Sequence, residues 1–418
     1  FFDFNHESVH THWLVDAVTK FWLEEYKIDG YRFDLSKGFT QTPSGSNVDL
    51  WGQYDASRVK IWKRIYDKIR SYDASAYVIL EHFAANNEEN ELGNYGMLLW
   101  GNSKFDMTKI AQGYTQDFSQ ASYKMRGFTN PSVVNYIESH DEERLMVEVA
   151  NGGKKTFTAQ ERLERMKLAA ATFFTIPGPK MIWQFGEFGY DLELNNDRLG
   201  IKPTRWEYLS NPDRLRLSQL YKEMLKLRTK YPVFNFPSNA TLNLGSSLKT
   251  IHLDHPELQV FLFGNYDLIT QGNQSISFPK TGKWYNYFTG KELNVTSAQV
   301  SFGLRPNEFY LFTDKPLPLP QKDILQADFI TSVPEEVDED GFAIYPNPTT
   351  SSLVVELPKE MAGASYRVLD VTGRVVFEGK GSLSLPILGL ELAGIQPGIY
   401  IFEAFDTKRV LHKRFIKQ

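Results

Sequence analysis

The segment DGYRFDLSKGF, residues 29–39, ends a short apolar stretch with the carboxylate of Asp34. Arg32 precedes Asp34 by two residues, so both side chains would lie on the same face of a strand. Lys37 follows, and the chain then enters a polar loop. A neighbouring cation keeps a carboxylate ionised. A reacting carboxylate needs this setting, whereas a surface carboxylate does not.

An acid at the end of an apolar stretch recurs twice further along the chain. Glu81 follows the run YVIL in the segment VILEHF, and Asp141 follows His140 in the segment YIESHDEERL. The C-terminal ends of the strands of a parallel barrel lie at one face, so the three carboxylates would converge there. A single acid at a strand end is more often a helix cap or a surface residue. The order and spacing of all three, together with Arg32, favour an active site.

Two carboxylates in unlike surroundings suit the cleavage of a glycosidic bond. Arg32 would hold Asp34 ionised and ready to attack, and the apolar run before Glu81 would raise the pKa of its carboxyl group. An ionised acid that attacks the anomeric carbon and a protonated acid that donates to the leaving oxygen together give hydrolysis with retention.

Alternating strand and helix signals fill residues 1–234. Five strand–helix units predict an α/β domain with a parallel sheet covered by helices, and they fit part of a barrel. From residue 235 to about 315, short alternating runs are separated by Gly, Asn, Asp and Pro, which predicts an antiparallel β-sandwich.

Two further segments follow the β-sandwich in the sequence. Residues 316–340 are rich in Pro and then in acidic residues, and we interpret them as a linker. Their run EEVDED lacks the spaced ligands and the Gly of a calcium loop, so a solvated linker is favoured over a calcium site. Residues 341–418 alternate as strands do and predict a small C-terminal β-sandwich.

The composition excludes several classes of function. The 418 residues carry a net charge of −5, which gives no electrostatic case for a nucleic-acid partner. No stretch of about 18 apolar residues is present, so no transmembrane segment is predicted. The absence of cysteine excludes disulfides, thiol catalysis and thiolate metal sites.

About the first 315 residues resemble the later part of the α-amylase superfamily of glycoside hydrolases. DGYRFDLSKGF is similar to the nucleophile motif of that superfamily, VILEHF to its acid/base strand and YIESHDEERL to its His–Asp motif. TIPGPKMIWQFGEFGYD resembles the segment at the eighth strand, and DFNHES resembles the short segment before the nucleophile strand. The resemblance implies the later strands of a (β/α)8 TIM barrel, from about the fourth, followed by an antiparallel β-sandwich.

The resemblance also implies roles for the three acids. Asp34 would be the nucleophile and Glu81 the acid/base, and Asp141 would bind hydroxyls of the distorted sugar ring. The implied activity is hydrolysis of starch-like α-glucans. A transglycosylase or branching enzyme would share the three acids, and a non-catalytic glucan-binding protein is the rival from another class. The residues do not decide between endo and exo action.

Four further residues are implied to bind substrate. Arg32 would orient Asp34, His140 would contact the sugar, and Lys37 would reach the leaving-group side. We also expect His82, directly after the acid/base, to bind substrate. Gly38 stands where the superfamily usually has His, which removes one sugar or metal contact. No cofactor is assigned, and the resemblance allows a structural calcium ion in the full-length protein.

Residues 341–418 resemble the C-terminal sorting domain of type IX secretion. The matching segments are YPNPTTSSLVVEL, YRVLDVTGRVVFEG, LAGIQPGIYIFEA and KRVLHKRFIKQ. A carbohydrate-binding module is disfavoured, because this part of the chain contains no Trp to form an aromatic platform. The resemblance implies export by the type IX machinery of a Gram-negative bacterium to the cell surface or the medium.

We expect residues 1–418 expressed alone to be aggregation-prone or inactive. The 28 residues from His6 to Asp34 are too few to hold the inserted domain and strand–helix unit that precede the nucleophile in the superfamily. The first three strands would then lie outside this sequence, and a barrel without them has open edges and an exposed apolar face. Measurable starch hydrolysis by residues 1–418 would contradict this expectation.

Overall fold

The structure is a computed structural model. It describes residues 4–194, 200–321, 324–325, 342–345, 347–350, 352–381, 387–392 and 394–418. Asp3 of the segment DFNHES lies outside these residues, as does most of the predicted linker, including the run EEVDED.

The α-helices of the described residues all precede residue 231. They are Val9–Tyr26 (α1), Val48–Trp51 (α2), Ala56–Tyr72 (α3), Asn86–Tyr95 (α4), Lys104–Ala111 (α5), Leu145–Gly152 (α6), Ala159–Thr175 (α7) and Pro212–Lys230 (α8). Side-chain caps begin several of them: Asp55 accepts hydrogen bonds from the first turn of α3, and Thr158 and Glu161 form a capping box on α7.

Four parallel strands form the sheet that carries the predicted acids. They are Gly30–Phe33 (β1), Tyr77–Leu80 (β2), Leu98–Asn102 (β3) and Val133–Tyr136 (β4), and they neighbour one another in chain order. Helices α3, α4 and α5 provide the crossovers between successive strands. Consecutive parallel strands with helical crossovers are the repeating unit of a TIM barrel. The predicted fold class is therefore confirmed.

The segment KMIWQFG, residues 180–186, is less regular than the strand that its sequence predicts. Only Lys180 forms a parallel bridge, to Asn135 of β4. The N–H of Met181 donates to the carbonyl of Asn135 at 2.9 Å, and the N–H of Asn135 donates to the carbonyl of Pro179 at 3.1 Å. Beyond Met181 the chain turns, because the N–H of Gly186 donates to the carbonyl of Trp183 at 3.0 Å and a 3-10 helix follows at Gly186–Phe188. The segment nevertheless lies beside β4, at the position of the next barrel strand.

Helix α3 supplies the core beneath the parallel sheet. The helical spacing of its apolar residues predicts a buried face of Val59, Trp62, Ile65 and Ile69, and all four are buried. They pack with Val78, Leu80 and Leu99 of the strands, among others. The helical period of this sequence therefore identified the buried face correctly.

Helix α1 buries a different face from the one that its apolar residues predict. Leu14, Val18, Phe21 and Trp22 are exposed, whereas Thr11, Thr19 and Leu23 are buried. The side that contacts α3 is the more polar one, and it is fixed by an ion pair of 3.0 Å between Asp16 and Arg64. Because nothing in the described residues covers the apolar side, α1 presents a large exposed apolar patch.

An antiparallel β-domain follows α8. Its strands are Asn239–Asn243 (β5), Leu248–Asp254 (β6), Val260–Asn265 (β7), Gln271–Ser277 (β8), Gly282–Asn286 (β9), Glu292–Val295 (β10), Gln299–Leu304 (β11) and Phe309–Thr313 (β12). Six of them form a sheet in the order β10-β9-β12-β7-β6-β5, and β8 pairs with β11. The aromatic rings of Phe263, Phe278, Trp284 and Phe302 fill the space between the two sheets.

The β-domain packs against the helical domain through α7. The hydroxyl of Tyr266 donates to the carbonyl of Leu168 at 3.1 Å, and it lies 2.9 Å from the hydroxyl of Thr172. Ile324 and Leu325, within the predicted linker, are buried in the same core. Buried apolar side chains and the hydrogen-bonded hydroxyl of Tyr266 therefore join the two domains.

The C-terminal strands form two further antiparallel sheets. They are Ala343–Tyr345 (β13), Ser352–Glu356 (β14), Ser365–Asp370 (β15), Val375–Lys380 (β16), Ile387–Glu391 (β17), Gly398–Phe405 (β18) and Val410–Lys417 (β19). The orders are β13-β14-β17 and β16-β15-β18-β19, and the two sheets share one apolar core. This arrangement is the predicted small β-sandwich. In the described part of the chain, no helix has the length and apolar character needed to cross a membrane.

Two leucines of α1 test which of its faces is packed. Leu23 is 7% exposed and Leu14 is 46% exposed. We expect Leu23→Ala to lower the free energy of unfolding by about 2–5 kcal/mol, because it leaves a cavity in the core. Leu14→Ala should change it by less than about 0.5 kcal/mol. Chemical denaturation measures both variants, and equal losses would show that the two faces are packed alike.

Candidate active site

The pairing of β1 with β2 places Asp34 beside Glu81. Phe33 lies opposite Leu80 in the parallel register, so each acid directly follows the last residue of its strand. The N–H of Glu81 donates to the carbonyl of Phe33 at 3.0 Å, and the N–H of Ser36 donates to the carbonyl of Glu81 at 2.9 Å. Backbone hydrogen bonds therefore fix the two chain segments that carry the acids.

One guanidinium group contacts both carboxylates. Nη1 of Arg32 donates to Oδ1 of Asp34 at 2.5 Å, and Nη2 of Arg32 lies 2.8 Å from Oε1 of Glu81. The N–H of Leu35 donates to the other Glu81 oxygen at 2.9 Å, and Leu35 adopts a left-handed conformation with φ of 44°. The ring centroid of Trp100 lies 5.2 Å from the guanidinium carbon of Arg32. Arg32 thus holds the two acids side by side.

The surroundings of the two acids shift their pKa values in opposite directions. The hydrogen bond from Arg32 holds the pKa of Asp34, whose side chain is 79% exposed, below its usual range. Burial raises the pKa of Glu81, whose side chain is 13% exposed, and the charge of Asp34 adds to that rise. The Leu35 N–H and Arg32 oppose this rise without cancelling it. The pair accordingly has one acid whose pKa is lowered and one whose pKa is raised, so Asp34 ionises at a lower pH than Glu81.

Asp141 and His140 follow β4 at the same edge of the sheet. The His140 Nε2 atom lies 3.4 Å from Oδ2 of Asp141, and its ring centroid lies 5.9 Å from that of Trp183. The charge of His140 contributes to the lowered pKa of Asp34, so His140 lies within electrostatic reach of that carboxylate. The structure therefore brings the ends of β1, β2 and β4, with the three predicted acids, to one region.

Lys37 joins the segment after β1 to the segment after β2. Its ammonium group donates to the carbonyl of Phe83 at 3.4 Å and lies 4.7 Å from the ring centroid of Trp51. Lys37 thus adjoins the chain that follows Glu81, on one side of the acid pair.

His82 does not lie where a sugar could contact it, contrary to the sequence prediction. Its side chain is fully buried. The Nδ1 atom lies 2.9 Å from the hydroxyl of Ser36, and the Nε2 atom lies 2.7 Å from Oε1 of Glu88. Because alternate residues of an extended chain point to opposite sides, His82 faces the core while Glu81 faces Arg32. His82 is better described as a support for the segment that carries Asp34.

Beneath His82 lies a buried ion pair between Arg58 of α3 and Glu88 of α4. The Arg58 Nε atom donates to Oε1 of Glu88 at 2.5 Å, and Nη2 donates to Oε2 at 2.8 Å. Burial alone would raise the pKa of Glu88, but hydrogen bonds from His82 and Arg58 hold it below its usual value. Arg58 also donates to the carbonyls of Lys37 and Trp51, each at 3.0 Å. The ion pair therefore connects two helices with the loops around the acids.

Sequence reasoning missed three contributors to this region. The Leu35 N–H, the Trp100 ring and the Trp51 ring all contact residues that were predicted to function. In the sequence, only Gly38 signalled such a contributor, because a residue without a side chain leaves room for a group from another segment. No group of three or more His, Asp or Glu side chains in the described part of the chain is arranged to hold a metal ion. No cation site is assigned among those residues.

Parallel strand–helix units with an acid pair at their C-terminal edge define a (β/α)-barrel domain with a candidate active site. The model of the α-amylase catalytic domain family matches residues 2–218, which is more than half of the chain. The chain belongs to this family, and by family it is an α-amylase-like enzyme. Residues 343–418 match the secretion system C-terminal sorting domain. This match confirms the predicted sorting domain, which directs the protein to the cell surface or the exterior.

Two 1,4-α-glucan branching enzymes are similar in sequence to parts of the chain. A 1,4-α-glucan branching enzyme of Picrophilus torridus is 24% identical over 214 residues, which cover 46% of this chain and 29% of that protein. A 1,4-α-glucan branching enzyme of Xanthomonas axonopodis pv. citri is 23% identical over 309 residues, which cover 66% of this chain and 40% of that protein. The chain thus spans less than half the length of these relatives.

Solved α-amylase structures share the fold. The α-amylase of Anoxybacillus superposes with a TM-score of 0.56 at 16% identity, covering 75% of this chain and 64% of that one. The α-amylase of Geobacillus thermoleovorans, solved with acarbose, gives a TM-score of 0.55 at 14% identity, covering 73% and 64%. At these identities the likeness establishes the fold alone.

The buried ion pair beneath the site can be tested by a matched pair of substitutions on α4. We expect Glu88→Gln to lower the free energy of unfolding by about 3–5 kcal/mol, because it leaves the charge of Arg58 buried without compensation. Glu91→Gln, which removes an ion pair with Lys63 near the surface, should cost less than about 1 kcal/mol. Chemical denaturation at neutral pH measures both. A Glu88→Gln cost no larger than that of Glu91→Gln would contradict the supporting role.

Proposed function

We propose that the full-length protein is a retaining glycoside hydrolase that cleaves α-glucosidic bonds in starch-like α-glucans. One observation carries the proposal: the guanidinium group of Arg32 contacts both Asp34 and Glu81, whose pKa values are shifted in opposite directions. A retaining mechanism requires two such acids, one ionised and one protonated, on either side of the scissile bond. Membership of the α-amylase catalytic domain family supports this choice of chemistry.

In the first step, the ionised carboxylate of Asp34 attacks the anomeric carbon. Glu81 donates its proton to the glycosidic oxygen, so the leaving sugar departs as a neutral alcohol. A covalent glycosyl-Asp34 intermediate forms as the glycosidic bond breaks. The hydrogen bond of 2.5 Å from Arg32 aims the Asp34 carboxylate before it reacts.

In the second step, Glu81 acts as a base. Its carboxylate removes a proton from water, the oxygen of that water attacks the anomeric carbon, and Asp34 departs as a free carboxylate. Asp141 would hold sugar hydroxyls of the distorted ring, and His140 would contact the same sugar.

Activity should fall at low pH as Asp34 becomes protonated and at high pH as Glu81 loses its proton, because the lowered pKa of Asp34 and the raised pKa of Glu81 bound the working range.

A transglycosylase or branching enzyme is the second candidate. Four named relatives are 1,4-α-glucan branching enzymes, which favours this possibility. The first step would be unchanged, and in the second step a hydroxyl of another glucan chain would replace water. Longer or branched products from maltooligosaccharides would identify this activity, whereas shorter linear products would identify hydrolysis.

The domain organisation that we propose matches this function. Residues 1–234 would provide part of the catalytic barrel, residues 235–315 the β-sandwich domain and residues 316–340 a linker. Residues 341–418 would engage the type IX secretion machinery, in keeping with the match to a sorting domain. Fusion of residues 341–418 to a reporter should then give surface or extracellular localisation in a host with that machinery.

The decisive experiment traps the intermediate on Asp34. The full-length protein is incubated with a fluorinated α-glucosyl fluoride, whose ring fluorine slows the second step. Mass spectrometry should then find a glycosylated peptide that contains residues 29–39. We expect Asp34→Asn to abolish labelling and to lower turnover of maltooligosaccharides by at least about 10³-fold. Glu81→Gln should lower turnover by about 10²–10⁴-fold.

Glu91→Gln is the matched control, because Glu91 lies on α4 and pairs with Lys63 outside the acid pair. It should leave both labelling and turnover unchanged. Binding of maltooligosaccharides without turnover in the wild-type protein, unaffected by Asp34→Asn, would instead identify a non-catalytic glucan-binding protein. Labelling of a residue other than Asp34 would contradict the proposed mechanism.

A further inference from the structure

Glu142 directly follows Asp141 in the sequence, and the mechanism proposed above assigns it no role. Residues 137–144 connect β4 to α6 without regular secondary structure. Side chains therefore supply hydrogen bonds that order this connection. Glu138 supplies one of them, because its Oε1 atom accepts from the N–H of Leu145 at 2.9 Å. The connection carries the third predicted acid, so the groups that order it also place that acid.

Both carboxylate oxygens of Glu142 accept hydrogen bonds. The Nδ2 atom of Asn102, the last residue of β3, donates to Oε1 at 2.6 Å. The hydroxyl of Ser139 donates to Oε2. Asn102 is itself oriented, because its Oδ1 atom accepts from the N–H of Lys104 at 3.0 Å, at the start of α5. Glu142 thus joins the C-terminal end of β3 to the segment after β4.

The hydroxyl of Ser139 connects Glu142 with Asp141. Its oxygen accepts from the N–H of Asp141 at 3.1 Å, while its single proton is donated to Glu142. Because a hydroxyl has one proton, the acceptor at Glu142 fixes the direction in which the Ser139 oxygen presents its lone pairs. Ser139 is 3% exposed, so water has little access to either bond. Asn102, Glu142 and Ser139, which we call the Glu142 clasp, therefore hold the backbone of Asp141.

The Glu142 clasp also lies near the acid pair. Burial raises the pKa of the Tyr136 hydroxyl, and the charges of Glu142 and Glu81 both add to that rise. The two carboxylates are therefore within electrostatic reach of one hydroxyl group. Tyr136 ends β4, and its ring centroid lies 5.1 Å from that of Trp100, which contacts Arg32. The clasp thus lies at the same edge of the sheet as the reacting groups.

We propose that Glu142 is a positioning residue that orients Asp141 for the proposed reaction. Asp141 would hold hydroxyls of the distorted sugar ring, and a contact of this kind accelerates the reaction only if it is strongest in the transition state. A carboxylate that is held in place before the substrate binds spends no binding energy on becoming ordered. The inference rests on the proposed function, because it concerns the residue that would bind the distorted ring.

The test measures kcat and KM of the full-length protein with maltotetraose and with α-glucosyl fluoride. We expect Glu142→Ala to lower kcat about 10–100-fold for both substrates, because both place a sugar against Asp141. KM should change by less than about 2-fold, since the lost contact acts mainly in the transition state. Glu142→Gln should restore most of kcat, because its amide can accept from Asn102 and donate to the Ser139 oxygen, which leaves the Asp141 contact in place.

A double-mutant cycle shows whether Glu142 acts through Asp141. In the Asp141→Asn protein, Glu142→Ala should lower kcat by less than about 2-fold, because the carboxylate that it positions is already absent. A loss of equal size in the two backgrounds would overturn the proposal, since Glu142 would then act by another route. If Glu142→Ala does not fold, Asn102→Ala replaces it in both backgrounds, with the same expected pattern and a weaker loss.

Glu148→Ala is the matched control. Glu148 lies on α6 and pairs with Lys104 of α5, so it joins the same two strand–helix units through a different carboxylate. It should leave kcat and KM unchanged for both substrates. A loss of kcat equal to that of Glu142→Ala would show that any contact between these units has the same effect, and it would overturn the proposal.

A hydrogen-exchange measurement separates failure of the Glu142 clasp from failure of the proposed function. If the wild-type protein turns over neither substrate, the proposed function fails. Mass spectrometry of deuterium uptake then tests the clasp by itself. A peptide that contains residues 139–144 should exchange faster in Glu142→Ala than in the wild-type protein, whereas Glu148→Ala should match the wild type. Unchanged uptake in Glu142→Ala would show that Glu142 does not order Asp141 and would overturn the inference.

Discussion

The contact of Arg32 with both Asp34 and Glu81 is the interaction on which the candidate active site depends. Two neighbouring carboxylates repel each other, and a shared cation makes their proximity tolerable. The same cation acts unequally, because it donates a short hydrogen bond to exposed Asp34 while burial dominates at Glu81. In the proposed mechanism, the resulting separation of pKa values assigns attack to Asp34 and proton donation to Glu81, two acids that lie side by side.

A second layer of charge supports the first. Arg58, Glu88 and His82 are buried below the segments that carry the acids, and their polar contacts join α3 and α4 to the segments that follow β1 and β2. Burial of charge is costly unless every partner is present, so such a network specifies one arrangement of the loops. The same Arg58 guanidinium group holds the backbone carbonyls of Lys37 and Trp51.

Much of the fold was predictable because local patterns encode it. The helical period of α3 identified Val59, Trp62 and Ile65 as buried, and the change to alternating runs near residue 235 precedes the first antiparallel strand at Asn239. The helical period of α1 predicts the wrong buried face. A helical pattern shows which face is apolar, but it does not show whether another element covers that face. The predicted strand at 180–186 is only a bridge at Lys180, because the chain turns at Trp183 and enters a 3-10 helix at Gly186.

By itself, the sequence determined the order of strands and helices, the three acids at strand ends and the basic residue two positions before Asp34. Tertiary structure alone decided that His82 faces the core, that Trp51 stands beside Gly38 and that one guanidinium group contacts both acids. The physical reason is the separation in sequence over which each effect acts. Residue patterns constrain the backbone over a few positions, whereas burial and the pKa shifts that it causes arise only when segments that are far apart in the sequence pack together.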